Sequence, residues 1–68
     1  MKTVTFRGNE YTVPDWAKYI TQDDHGPIWA WEESPEFDMG EWWKISGSYA
    51  RYTLVKDAPV VYSNIKEI

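Results

Sequence analysis

Between Asp23 and Trp43 the chain carries seven carboxylates, no Lys or Arg, and four of its five tryptophans. A stretch of this kind must bury large rings while keeping its acids in water. Strand alternation does that, because successive side chains point to opposite faces. Trp29 and Trp31 stand at i and i+2, so they share one face of a strand. Other sources of stability are few. The chain has 68 residues and no Cys. It has neither a disulfide staple nor a thiolate for zinc. Its twelve aromatics must therefore supply most of the core.

The turn chemistry divides the chain into short strands. Lys2 to Val13 reads as a hairpin around Gly8-Asn9, with Phe6 opposite Tyr11 and Val4 opposite Val13. Val4, Phe6, Tyr11 and Val13 then form an apolar face, and Thr5, Arg7, Glu10 and Thr12 a polar one. Pro14 ends this strand. Asp15 is placed to cap one helical turn through Trp16 and Ala17.

Lys18–Gln22 and Ile28–Glu32 read as a second hairpin across Asp23-Asp24-His25-Gly26. A four-residue loop sets Ile20 opposite Trp29 and Lys18 opposite Trp31, with Tyr19, Ile28 and Ala30 on the other face. Residues 34–40 read as a polar loop. Glu41–Ile45 and Tyr49–Val55 read as a third hairpin around Ser46-Gly47-Ser48. That pairing makes Trp43, Ile45, Ala50, Tyr52 and Leu54 a core face and leaves Trp42 outside beside Lys44 and Arg51. Val60–Ile65 is a last β-branched strand. The expected fold is all-β, a small antiparallel meander or partly closed barrel of six to seven strands in one domain. The alternative is α+β with a short helix near 14–20.

Charge narrows the function. Residues 1–22 and 44–68 are slightly basic, and the middle stretch holds the acid that makes the net charge −4. A nucleic-acid binder normally shows a basic stripe, and this chain concentrates the opposite sign. Glu36 and Asp38 on an extended backbone would lie roughly 6.6 Å apart, a spacing suited to Arg and Lys of a partner. No signal-peptide run or membrane-length apolar run occurs, so a cytoplasmic protein without membrane contact is the expectation.

Catalysis finds no support. Glu32 and Glu33 point to opposite faces and make a poor acid–base pair. No Gly-rich phosphate loop is present, and no nucleophile stands beside a base. Asp23-Asp24-His25 lacks the ligand spacing of a calcium loop and reads as a turn. Neither a metal nor a cofactor is expected. The partner-binding candidates are Trp29, Trp31, Glu33, Glu36, Asp38 and Trp42. Against each stands a plain structural role: core for the paired tryptophans, solvated loop for the acids.

Residues 13–35 carry Val-Pro-Asp-Trp-Ala-Lys-Tyr-Ile, a turn from Asp23 to Gly26, Ile-Trp-Ala-Trp-Glu, and Pro35. This run resembles one found in small proteins of tailed bacteriophages and prophages. The resemblance covers about a third of the chain. It implies a phage product acting in the bacterial cytoplasm, with no catalytic residues to carry over. The leading expectation is an accessory protein that binds and modulates a basic host protein through an acidic, Trp-rich surface. A minor virion or assembly protein acting as a homo-oligomer is the alternative. A single-strand nucleic-acid module is the second alternative, weakened by the missing cationic track.

Overall fold

The computed structural model describes residues 1–59 and 64–68. Eight strands lie among them. They are β1 (Lys2–Phe6), β2 (Asn9–Val13), β3 (Tyr19–Gln22), β4 (Pro27–Trp31), β5 (Glu36–Asp38), β6 (Glu41–Trp43), β7 (Tyr52–Asp57) and β8 (Asn64–Glu67). They form three antiparallel sheets: β1-β2, a four-stranded sheet in the order β7-β4-β3-β8, and β5-β6. The protein is all-β, and its sheets do not close into a barrel. Among the described residues no helix forms at 14–20. Instead Ala17 N donates to Pro14 O at 3.0 Å and closes one tight turn.

The β1–β2 hairpin lies against one face of the central sheet. Phe6 and Val13 from the hairpin join Ala17, Ile20, Ile28 and Ala30 in a fully buried cluster, with Val4, Tyr11, Val55 and Ile68 packed around it. This is the two-layer solution to burying one apolar face of each sheet. Lys2 Nζ donates to Ala17 O at 2.7 Å, and Lys66 Nζ donates to Thr5 O, so the long cationic stems tie hairpin to sheet.

The hairpin turn falls one residue earlier than the sequence suggests. Arg7 and Gly8 hold φ of 54° and 81°, and the register pairs Phe6 with Asn9 and Val4 with Tyr11. A two-residue hairpin turn of this hand needs positive φ at both central positions. The resulting slip is two residues, so the expected apolar and polar faces survive unchanged.

In the second hairpin the slip is one residue, and its consequence is larger. Ile20 pairs with Ala30, Thr21 with Trp29, and Tyr19 with Trp31. Asp23 N donates to Pro27 O at 2.9 Å and Gly26 N to Asp23 O at 3.1 Å, which shortens the loop to residues 24–26. The buried Gln22 holds that loop, its Nε2 donating to Gly26 O at 2.9 Å and Ala58 O at 3.0 Å. Ile20, Ile28 and Ala30 now share the core face, and both tryptophans turn to the other side. That sorts small aliphatic residues from large rings, which the expected register mixed.

The expected third hairpin does not form. Met39 and Gly40, at φ of 51° and 81°, make a turn inside the supposed polar loop, and β6 pairs with β5. Strand β7 pairs with β4 instead, setting Tyr52 opposite Trp31 and Leu54 opposite Trp29, with a bulge between Ile28 and Trp29. The anticipated core face of Trp43, Ile45, Ala50, Tyr52 and Leu54 is therefore not core: Trp43 is 51%, Tyr52 49% and Leu54 52% exposed. Of the last expected strand, residues 60–63 lie outside the described residues, and β8 begins at Asn64 beside β3.

Candidate functional site

The central sheet has a second face, opposite the core. Its register lines up Tyr19, Trp31 and Tyr52 in one row and Ile65, Thr21, Trp29 and Leu54 in the next. The rings pack on one another. Trp31 stacks on Tyr52 with centroids 5.3 Å apart at 21°, and Trp29 tilts against both at 6.3 and 6.1 Å. Trp31 is only 4% exposed, and its Nε1 donates to Thr21 Oγ1 at 2.8 Å. It anchors the floor, and Trp29 and Tyr52 offer the accessible ring surface.

The β5–β6 hairpin leans over this face. Trp42 N donates to Asp23 Oδ1 at 2.8 Å, and Asp24 N donates to Gly40 O at 2.9 Å. Trp42 packs against Phe37 at 5.0 Å, and its buried Nε1 has no hydrogen-bond partner among the described residues. Trp43 is half exposed at the rim of the same space, its Nε1 donating to Asp38 O at 3.2 Å. The expectation of a core Trp43 and an outward Trp42 does not hold: Trp42 is the more buried of the two, and Trp43 lies half exposed. β6 pairs with β5 and not with β7, so the side chain facing the sheet changes.

Between hairpin and sheet lies a cavity of about 390 Å³, lined by Asp23, Trp29, Trp31, Glu41, Trp42, Trp43, Lys44 and Tyr52. Four tryptophans and a tyrosine give it apolar walls, and two carboxylates give it negative charge. Lys44 Nζ is engaged with Ser48 O at 3.1 Å. His25 Nε2 lies 3.9 Å from Glu41 Oε1, and one ligand atom each from Asp23, His25 and Glu41 falls within 4.8 Å of the others. Of the three, Asp23 is buried, Glu41 half-buried and His25 exposed.

A second polar constellation joins the residue just after β4 to the residue just before β7. Arg51 Nη2 donates to Glu32 Oε2 at 2.7 Å, and Arg51 N donates to Glu32 Oε1 at 3.0 Å. These hydrogen bonds, side-chain first and backbone second, hold the Glu32 carboxyl at about 2, below its ordinary 4.5. The Arg51 guanidinium also lies 5.0 Å from the centroid of the Trp16 ring. Arg51 is thereby committed to Glu32 and Trp16, and it does not flank Trp42 as expected.

Of the sequence candidates, Trp29, Trp31 and Trp42 come together in the cleft. Glu33, Glu36 and Asp38 do not line it. Glu33 Oε2 accepts Ser48 Oγ at 2.6 Å, and Glu36 and Asp38 are exposed on β5. Asp23, Glu41, Trp43 and Tyr52 were missed as binding residues. Reading Met39-Gly40 as a hairpin turn would have found two of them, because it pairs β5 with β6 and brings Glu41 and Trp43 back to the sheet. Compared with known proteins, the chain matches no family model, no curated protein and no solved structure. No helix among the described residues is long and apolar enough to cross a membrane.

Proposed function

We propose that this protein is a small non-enzymatic binding module that captures a basic protein partner in its aromatic cleft. One observation carries the reading: accessible Trp and Tyr surface is brought together with the Asp23 and Glu41 carboxylates in a single cavity. Exposed aromatic clusters of this type act as binding anchors when a partner desolvates them. The exposed acids of β5 lie outside the cleft, where they would steer a cationic partner and set the salt dependence of capture. In the setting implied by the resemblance of residues 13–35, the module is a phage or prophage accessory protein and the partner a protein of the bacterial host.

A Trp-fluorescence titration with a Lys- and Arg-rich peptide, beside an acidic peptide of equal length, tests this reading. The basic peptide should shift the emission, and Tyr52→Ala and Glu41→Lys should each weaken its binding. Equal responses to both peptides, or unchanged binding in both variants, would sink the proposal.

The exposed Tyr52, Leu54 and Ile65 on one sheet face favour a second reading, a homo-oligomeric structural protein. Sedimentation velocity separates the two. A concentration-independent monomer at micromolar levels removes the oligomer, and a stable oligomer with Leu54 and Tyr52 protected supports it.

A further inference from the structure

We infer that the cleft is a socket for a single arginine side chain and selects arginine over lysine. The inference rests on the basic-partner reading above and adds which cation is recognised. The cavity, at about 390 Å³, falls at the small end of ligand pockets. It has room for one long side chain, not for a strand or a helix.

The walls decide between the two cations. A group entering between Trp29, Trp43 and Tyr52 must shed water against ring surfaces. Guanidinium is planar and weakly hydrated, stacks on rings, and carries donors in a fixed fork. Ammonium is a compact, strongly hydrated point charge, and its desolvation opposes entry. The carboxylates fit the same choice. An oxygen of Asp23 and one of Glu41 lie within 4.8 Å of each other. A planar fork can donate one N–H to each, and charge-assisted bonds of that type are the strong ones.

The protein already holds one arginine in this way. Arg51 lies 5.0 Å from the Trp16 ring centroid while its Nη2 donates to Glu32 at 2.7 Å. Ring and carboxylate together fix that guanidinium, and the cleft presents the same pair of elements, ring surface and carboxylate. Lys44, also in the lining, directs its ammonium to the Ser48 carbonyl.

The test is an NMR titration of the full chain, following the indole N–H resonances. Three blocked pentapeptides are compared, with Arg, Lys or the neutral isostere citrulline between glycines. The Arg peptide should bind at least about fivefold tighter than the Lys peptide, a difference on the order of 1 kcal/mol, with citrulline weakest. Glu41→Gln should bring Arg affinity down toward that of citrulline, and Glu10→Gln, on the distant hairpin, should not. Equal affinity for Arg and Lys, both above citrulline, overturns the arginine socket and leaves the basic-partner reading standing. Equal affinity for all three overturns both.

Discussion

The buried carboxylate of Asp23 accepts the backbone amide of Trp42 at 2.8 Å, nineteen residues along the chain. Together with the bond from Asp24 N to Gly40 O at 2.9 Å, this bond fastens the β5–β6 hairpin to the end of β3. Asp23→Ala leaves the Trp42 amide without its acceptor, at a cost of about 1–3 kcal/mol. Asp23→Asn keeps an acceptor oxygen and should cost less. Urea unfolding of the two variants checks the order. An Asp23→Ala protein as stable as wild type would mean that the hairpin is held by other contacts.

Trp31 and Trp42 differ in the fate of their indole N–H. That of Trp31 donates to Thr21 Oγ1, and that of Trp42 has no partner among the described residues. Trp31→Phe strands the buried Thr21 hydroxyl, a loss of about 1–3 kcal/mol beyond the lost ring area. Trp42→Phe removes an unpaired donor, so its polar term is neutral or favourable. Denaturation should show Trp31→Phe as the more destabilising. The reverse order would contradict these hydrogen-bond assignments.

Glu32 gives the fold an acid-sensitive contact. Its folded pKa of about 2 lies below the ordinary 4.5, so the stabilisation from Arg51 is fully present above pH 4.5. It is lost as the pH falls through 2. Both side chains are substantially solvated, which limits the size of the effect. Thermal melts between those two pH values should show a shallower decline for Glu32→Gln than for wild type. Parallel declines would show that the carboxylate titrates alike in folded and unfolded chains.

Met39 holds φ of 51° and is 92% exposed, in a turn completed by Gly40. A left-handed conformation penalises most side chains, and Asn-Gly is the favoured pair in such a turn. Met39→Asn should raise stability by about 1 kcal/mol, since the left-handed strain is relieved and no buried contact is lost. A drop in the melting temperature would argue against this turn.

What was legible in the sequence follows the physics of alternation. The two faces of the β1–β2 hairpin and the shared face of Trp29 and Trp31 needed only period two, and a two-residue slip left the hairpin's faces intact. The side of the sheet on which the tryptophans lie needed the register. Asp23 N to Pro27 O fixed that in a loop whose composition fits more than one length. The pairing of β7 with β4 is non-local, whereas Ser46-Gly47-Ser48 offered a nearer but unused hairpin. The anchoring role of Asp23 was hidden because its partner is a backbone amide, which any residue type at position 42 other than proline would supply.

The β5–β6 hairpin folds over the Trp29, Trp31 and Tyr52 face, with Trp42 turned in and Trp43 at the rim. Paramagnetic relaxation of the indole ring protons by a soluble gadolinium chelate reads this directly. Strong broadening is expected for Trp43, weak broadening for Trp42 and the least for Trp31. A protected Trp43 beside an accessible Trp42, as pairing of β6 with β7 would produce, would contradict it.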